Sequence, residues 1–209
     1  MGQTVVIAFC NQKGGVGKST IAVTLASYLH YTMKKNVAVI DCDKGQHSLN
    51  RLRDREKQAV EKIDEYKLQM MEQWERIQKK AYPIIESKQQ KVRKDVDTLP
   101  ASGTVYDIVI VDLPGSVSTT GVLSTIVNVD YVLVPIVADR FDMQSTLGFT
   151  TAVMDYKAGR ENIPLKKFVF FWNKMDCKES ADNVVAYNKI IEKPESLSST
   201  KLNMRTNSI

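Results

Sequence analysis

Ten consecutive residues near the start of the chain constrain its fold more than any other feature: Asn11-Gln12-Lys13-Gly14-Gly15-Val16-Gly17-Lys18-Ser19-Thr20. An apolar, β-branched run (4–10) precedes them, and a segment with helical periodicity follows. A strand, a glycine-rich turn and a helix start, in this order, are typical of a phosphate-binding loop. The glycines allow successive N–H groups to point into one concavity, and the helix adds its N-terminal dipole. Lys18 then supplies a positive charge for the outer phosphates, and the Ser19 hydroxyl is a ligand for Mg²⁺.

One position departs from the general pattern of such loops, which has glycine where this chain has Gln12. The loop carries a second lysine, Lys13, beside it. The run NQKGGVGKST resembles the deviant Walker A loop of the ParA/MinD family of P-loop ATPases and is most similar to the branch that partitions plasmids and chromosomes. The resemblance implies that Lys13 and Lys18 are catalytic, and that Lys13 reaches across a dimer interface to the partner's ATP. The implied ATP-binding residues of the loop are Lys13, Gly14, Gly15, Val16, Gly17, Lys18, Ser19 and Thr20.

Two acidic side chains follow the next apolar run, 37–40. An uninterrupted apolar strand is typical of a parallel sheet covered on both faces, and ligands bind at the carboxyl ends of such strands. Asp41-x-Asp43 resembles the switch I segment of the family, although Lys44-Gly45 stands where the family usually has proline. The resemblance implies that Asp43 orients the water that attacks the γ-phosphate, and that Asp41 holds a water on Mg²⁺. Alternatively, both acids only cap the following helix.

Two further predicted strands also end in polar residues. The apolar strand 105–111 leads to Asp112, which is the arrangement of a Walker B acid, and the turn after it resembles the family's switch II. The resemblance implies that Asp112 meets Mg²⁺ from the strand beside the loop strand, so that the metal residues are Ser19, Asp41 and Asp112. The strand 168–172 leads to Asn173, which the resemblance places against the adenine. Asparagine is also a common turn residue, so that alternative stays open.

Residues 48–95 differ in composition from the rest of the chain. Charged residues of both signs alternate there, and no glycine or proline occurs within 49–82. We predict one long helix that is broken near Pro83, followed by a second helix over 84–96. Two interpretations stay open: a surface helix that packs an apolar stripe on the domain, or a projecting hairpin that binds a partner protein or a polyanion. The stripe consists of Val60, Ile63, Met70, Met71, Trp74, Ile77 and Ala81.

The alternation of strands and helices predicts parallel βαβ units. Further elements are a strand over 131–137 and helices over 142–156 and 180–192. With 209 residues and 43% apolar content, the chain can form the core of one domain. We therefore expect a single α/β domain over 1–209: a three-layer P-loop NTPase domain with a mainly parallel sheet, a long helical insertion (48–95) and a polar tail (195–209).

Several other classes of protein are disfavoured. No apolar run reaches the ~20 residues that span a bilayer, and the first residues lack the pattern of a signal peptide, so we expect a cytoplasmic protein without a membrane partner. The three cysteines, Cys10, Cys42 and Cys177, are far apart and are expected to be buried hydrophobes. With only two histidines, a zinc site is not supported. The net charge of +5 modestly favours polyanionic partners.

The resemblance implies a slow, partner-stimulated ATP hydrolase whose cofactors are ATP and Mg²⁺. It would form an ATP-dependent homodimer and act in DNA partitioning or in the maintenance of a conjugative element, with nonspecific DNA and a stimulating protein as further partners. Two alternatives are a MinD-like membrane-associated regulator and a nucleotide-switched adaptor with little turnover. A relative of the nitrogenase iron protein would need cluster cysteines at positions where this chain has none.

Overall fold

A single parallel sheet forms the centre of the protein. The computed structural model describes residues 3–43, 48–99, 103–115, 120–138, 140–158 and 160–175, together with Val185 and Asn188. The strands are β1 (Val5–Phe9), β2 (Val37–Asp41), β3 (Ile84–Glu86), β4 (Ile108–Asp112), β5 (Tyr131–Ile136) and β6 (Lys167–Trp172). They lie in the order β3-β2-β4-β1-β5-β6, and every neighbouring pair is parallel. The predicted α/β class with a parallel sheet is confirmed.

Helices cover both faces of this sheet. The described helices are α1 (Lys18–Ser27), α2 (Ser48–Lys62), α3 (Asp64–Ile77), α4 (Val92–Thr98), α5 (Thr120–Val127) and α6 (Arg140–Ala158). Of these, α1 packs on one face of the sheet, and α5 and α6 pack on the other. A π-helical turn, Tyr28–Thr32, continues α1. Side chains alternate along the strands between two apolar clusters, so that Ala38 and Ile40 pack on the side of α5 and α6, whereas Val37 and Val39 pack on the side of α1. The result is the expected three-layer arrangement.

The predicted helix over 84–96 is wrong in its first half. Ile84–Glu86 is the edge strand β3, which pairs with β2, and α4 begins only at Val92. The preceding helix ends already at Ile77, where Gln78 takes a left-handed conformation (φ 52°). The Pro83 carbonyl accepts a hydrogen bond from the N–H of Val39 (3.0 Å). The β-branched residues Ile84 and Ile85 fit a strand, but the edge of β2, more than forty positions away in the chain, decides that they pair there.

The predicted single helix over 49–82 is divided into two. Ile63 takes an extended conformation (φ −118°, ψ 112°), and the chain reverses there to form the hairpin of α2 and α3. No glycine or proline is needed, because the charges at the junction suit both helix ends. Lys62 lies in the last turn of α2, and Asp64 and Glu65 lie in the first turn of α3, where each charge complements the helix dipole.

The apolar stripe of this hairpin does not pack on the domain. Met70, Met71 and Trp74 are each about half exposed, whereas Ile77 at the end of α3 is buried. The interpretation as a packed surface helix is therefore wrong, and the hairpin projects from the domain.

Other expectations fall partly outside the described residues. Cys10 and Cys42 are buried, as predicted, whereas Cys177 lies outside the described part of the chain. The predicted helix 180–192 and the polar tail 195–209 also lie there, apart from Val185 and Asn188. Within the described residues, no helix combines the length and apolar character that crossing a bilayer requires.

Candidate nucleotide-binding site

The glycine-rich loop joins β1 to α1 at the carboxyl edge of the sheet. Gly15 (φ 75°) and Gly17 (φ 91°) take left-handed conformations that favour glycine. A Cβ atom on Gly14 or Gly15 would meet no other atom within 4 Å, so the backbone there borders open space. A Cβ atom on Gly17 would lie 2.6 Å from Nδ2 of Asn173. The first two glycines therefore leave room beside the loop, whereas Gly17 allows another segment to pack against it.

Lys18 is the first residue of α1 and is buried despite its charge. Its ammonium group donates a hydrogen bond to the carbonyl of Lys13 (3.2 Å), so it lies across the loop. The Lys13 side chain itself is exposed. The two lysines thus occupy different environments: one is held within the loop, and the other projects at its surface.

Two segments from the far half of the sheet hold the loop in place. The buried Asn11 accepts a hydrogen bond from the N–H of Lys13 (2.9 Å) and donates one to the carbonyl of Pro135 at the end of β5 (2.7 Å). After β6, the Asn173 amide donates to the carbonyl of Val16 (2.7 Å), and Lys174 donates to that of Gly15. Asn173 therefore lies against the loop backbone, and its predicted contact with adenine stays a prediction.

Sequence reasoning gave no role to Asn11 or Lys174. Asn11 stands inside the loop motif, but its anchoring contact lies 124 positions further along the chain. Gln12, where the loop departs from the general pattern, accepts a hydrogen bond from the Ser145 hydroxyl of α6 (2.8 Å). These contacts have no local sequence pattern, so only the packing of β5, α6 and β6 around the loop reveals them.

The predicted acids meet the loop at the same sheet edge. Phe9, Asp112 and Asp41 are direct partners across β1, β4 and β2, and both carboxylates are buried. Asp41 accepts a hydrogen bond from the N–H of Asp43 (3.0 Å), which fixes the first turn after β2. The strand that carries Asp112 is the neighbour of the loop strand, which is the relation expected for a Walker B acid.

Asp112 carries the most perturbed carboxyl group of the site. Its pKa is raised to about 6, mainly because the carboxyl group is buried; the neighbouring Asp41 and Asp43 also raise the pKa, whereas the Ser19 hydroxyl and Lys18 lower it. Among the residues that the structure describes, none makes a hydrogen bond of standard geometry with either Asp112 oxygen, although Ser19 lies close enough to affect the pKa. An ionised carboxylate in this position is destabilising unless a cation accompanies it.

The donor set fits Mg²⁺ rather than a transition metal. The described residues contain no cluster of three or more His, Cys, Asp and Glu side chains that could hold a metal ion alone. Mg²⁺ in nucleotide sites usually takes only one or two carboxylates, because water and phosphate oxygens complete its octahedron. The Ser19 hydroxyl with Asp41 and Asp112 therefore fits a magnesium ion that arrives together with a phosphate ligand.

The turn after Asp112 closes on the loop from the other side. A Cβ atom on Gly115 would lie 3.4 Å from both the carbonyl oxygen of Gln12 and Nζ of Lys18. This turn therefore lies in close contact with the loop and its lysine. Residues 116–119, which continue this turn, lie outside the described part.

A family model described as ATPase MipZ matches residues 5–155, which is more than half of the chain and includes every site residue above except Asn173 and Lys174. The chain belongs to the ParA/MinD family of P-loop ATPases. It is 28% identical over 163 residues to the chromosome-partitioning ATPase Soj of Thermus thermophilus, with 73% of this chain and 63% of Soj covered. It thus spans less than two thirds of that relative's length.

Solved structures support the same fold. A plasmid partition protein from Borrelia burgdorferi is 19% identical, with a TM-score of 0.60 over 99% of this chain and 90% of that one. The pNOB8 ParA protein bound to nonspecific DNA is 19% identical, with a TM-score of 0.61 over 99% of this chain and 86% of the other. The family resemblance found in the sequence is confirmed by the family model, and these structures show that the fold is shared over 99% of this chain.

Proposed function

We propose that this chain is a Mg²⁺-dependent ATP hydrolase that forms a homodimer around ATP and acts in DNA partitioning or in the maintenance of a conjugative element. The observation that carries the proposal is the buried Asp112 carboxylate beside a glycine loop that holds the Lys18 ammonium group. A buried carboxylate at the end of β4 and a buried ammonium group at the start of α1 suit a ligand that brings both a cation and phosphate groups.

In this proposal the loop from Lys13 to Thr20 binds the phosphates, and Lys18 contacts the outer ones. Ser19, Asp41 and Asp112 hold Mg²⁺, which when bound supplies positive charge that neutralises the phosphate oxygens. Asn173, which lies after β6 beside the loop, contacts the adenine. Family membership and the position of these residues around one edge of the sheet support these proposed roles.

Hydrolysis depends on the position of a water molecule more than on a strong base. Asp43 is half-buried just beyond the end of β2, and it orients the attacking water in this proposal. The exposed Lys13 side chain extends to the γ-phosphate bound by a second copy. Loss of the γ-phosphate after hydrolysis then removes the contacts that hold the dimer.

Light scattering coupled to size-exclusion chromatography tests the dimer. We expect a monomer without nucleotide and with ADP, and a dimer with a non-hydrolysable ATP analogue. The Lys13→Ala variant should bind the analogue and stay monomeric, whereas Lys62→Ala, which removes an exposed lysine at the hairpin tip, should dimerise normally. A Lys13→Ala variant that dimerises like the wild type contradicts the shared site.

Single-turnover hydrolysis tests the chemistry. The Asp43→Ala variant should bind ATP with normal affinity, hydrolyse it slowly and accumulate as a dimer. A normal hydrolysis rate in this variant rules out the role of Asp43. The measurement is made with and without nonspecific duplex DNA, because stimulation by DNA is expected of a partitioning ATPase.

A nucleotide-switched adaptor is a second candidate, because the hairpin exposes apolar side chains that suit a protein partner. An adaptor would also bind ATP and form the ATP-dependent dimer, but it would hydrolyse ATP negligibly with or without DNA. The same single-turnover measurement therefore separates the two candidates.

A further inference from the structure

The turn that follows β6 runs beside the phosphate loop and is bonded to it at two points. The Asn173 N–H donates a hydrogen bond to the carbonyl of Ile136 at the end of β5 (2.8 Å), which fixes where the turn begins. The Asn173 amide and the Lys174 ammonium group then donate to the consecutive loop carbonyls of Val16 and Gly15. The turn is therefore held against the loop, and the Lys174 side chain reaches from one to the other.

Lys174 takes a backbone conformation that is uncommon for a residue with a side chain. Its φ is 53°, in the left-handed region, which costs free energy for residues other than glycine. Such conformations persist where surrounding contacts hold them, and they are frequent at ligand sites. Here the contacts are those of Asn173 and Lys174 with the loop. The conformation of this turn is therefore tied to that of the loop.

Lys174 is exposed although its ammonium group is bonded. Met175 beside it is also exposed, and a Cβ atom on Gly15 would meet no other atom within 4 Å. Space is therefore open beside the point where the lysine reaches the loop. Lysine usually keeps its ammonium group in water and lays its methylene groups on an apolar surface. Here the loop carbonyl fixes the ammonium group, so the methylene groups form a narrow apolar strip at the edge of that space.

The order of the strands indicates which end of a bound nucleotide lies at this turn. Asp112 and Asp41 lie on β4 and β2, to one side of the loop strand β1, whereas β6 lies two strands away on the other side. Neighbouring strands are about 4.8 Å apart, so β6 is about 10 Å from β1. If the phosphates share Mg²⁺ with the two acids, they lie over β1 and β4. The other end of the ligand then extends over β5 and β6, so the turn meets the nucleobase.

We propose that Lys174 binds the face of the nucleobase with its methylene groups, while Asn173 contacts the edge of the base. This inference rests on the proposed function, because it requires that the loop binds a nucleoside triphosphate. A purine ring offers the flat apolar surface that a lysine stem covers, and its π-electrons attract an ammonium group. Because that group is bonded to Gly15, a base on Lys174 also steadies the loop that binds the phosphates. Lys174 thus connects recognition of the base to the geometry of the phosphate site.

The experiment compares ATP with inorganic tripolyphosphate, a probe that has a triphosphate chain but no base. Isothermal titration calorimetry in the presence of Mg²⁺ measures both affinities for each variant. Lys174→Ala should lower the affinity for ATP by about tenfold, which corresponds to about two covered methylene groups. It should lower the affinity for tripolyphosphate by less than about twofold, because the base contact is absent from that probe. Lys174→Arg should keep the ATP affinity within about threefold, because arginine retains an apolar stem and a donor for the loop carbonyl.

Lys157→Ala is the matched control. Like Lys174, Lys157 donates a hydrogen bond from its ammonium group to a backbone carbonyl, that of Leu165 (2.7 Å). It lies in the last turn of α6, and Leu165 precedes β6 at the opposite edge of the sheet from the loop. This variant should bind both probes as the wild type does, and circular dichroism should show that all variants fold.

The outcomes separate this inference from the proposed function. If the wild type binds neither ATP nor tripolyphosphate, the proposed function fails, and Lys174 has no base to bind. If the wild type binds ATP and Lys174→Ala binds it equally well, only the contact between Lys174 and the base is ruled out. Equal losses of affinity for ATP and for tripolyphosphate in Lys174→Ala also overturn the inference, since the lysine then only braces the loop.

Discussion

Charged side chains are usually exposed and apolar side chains usually buried. The carboxyl edge of the sheet, where the glycine-rich loop lies, departs from the first rule, and the helical hairpin departs from the second. At the edge, Asp112 and Lys18 are charged yet buried, whereas on the hairpin Met71 and Trp74 are apolar yet exposed. Both arrangements are unfavourable for the isolated chain. The kind of side chain indicates which ligand could offset the unfavourable free energy in each region. Ions and phosphates would do so at the edge of the sheet, and an apolar surface would do so at the hairpin.

The two regions also differ in what holds them in place. The loop is anchored by Asn11 and Asn173, which bond to carbonyls that lie 124 and 157 positions away in sequence. The hairpin consists of helices with local hydrogen bonds, and among the described residues its buried contacts with the domain lie near Leu49, Ile77 and Tyr82. We therefore expect substitutions at the edge to act on ligand binding, and substitutions on the hairpin to act on stability only where it meets the domain.

The largest effect is expected for Lys18→Ala. Removing a preorganised charged donor costs about 3 kcal/mol, by analogy with oxyanion-hole donors, so ATP affinity should fall by roughly two orders of magnitude. Isothermal titration calorimetry measures this change. Met71→Ala serves as the control from the other region and should bind ATP normally. Undiminished affinity in Lys18→Ala rejects the assignment of the loop.

A second large effect is expected at the foot of the hairpin, where Ile77→Ala removes a buried side chain. The free energy of unfolding should fall by about 2–3 kcal/mol, as is usual for such truncations. Urea unfolding followed by circular dichroism measures it. If Ile77→Ala is as stable as the wild type, the foot is not packed as described, and the contrast between the foot and the exposed stripe fails.

Asp112→Asn should stabilise the nucleotide-free protein by about 3 kcal/mol at pH 8, since a pKa raised from 3.8 to about 6 corresponds to roughly this cost of ionisation. The folded-state pKa lies above the unfolded value. Below about pH 4, Asp112 is protonated in both the folded and the unfolded chain and does not affect stability. The free energy of unfolding then falls as the pH rises through 6, because the unfolded chain loses this proton first. The gain in the variant should thus disappear near pH 4. Unfolding curves at both pH values check this.

The same substitution should weaken Mg²⁺-dependent nucleotide binding, because it removes the negative charge that faces the metal. An Asp112→Asn variant that is less stable than the wild type at pH 8 contradicts the description of Asp112 as a buried carboxylate whose ionisation destabilises the folded chain. A gain that does not change with pH contradicts it as well.

The smallest effect is expected for Met71→Ala, which should change the free energy of unfolding by less than about 0.5 kcal/mol, as for other exposed positions. Thermal and urea unfolding beside Ile77→Ala provide the measurement. A loss above about 1 kcal/mol would show that the stripe packs on the domain after all.

Much of the site was predictable because its chemistry is encoded locally. The sequence NQKGGVGKST between a strand and a helix, and acids that directly follow apolar strands, identify the loop, Asp41, Asp43 and Asp112 without a structure. Parallel strands bring their carboxyl ends to one edge, so the meeting of these residues followed from the fold class. The anchoring roles of Asn11, Gln12 and Lys174 could not be predicted, because each depends on a distant contact.

The sequence by itself determined the fold class, the family and the phosphate-binding loop, because glycine conformations, strand periodicity and charge at a helix start act within a few residues of one another. Only the tertiary structure decided that 84–86 pairs with the edge of β2, that Ile63 divides a continuous helical pattern, and that Asp112 lies buried without a hydrogen-bond partner among the described residues. The pairing of 84–86 and the burial of Asp112 depend on surfaces that come from elsewhere in the chain, whereas the break at Ile63 appears only in the packing of α2 against α3.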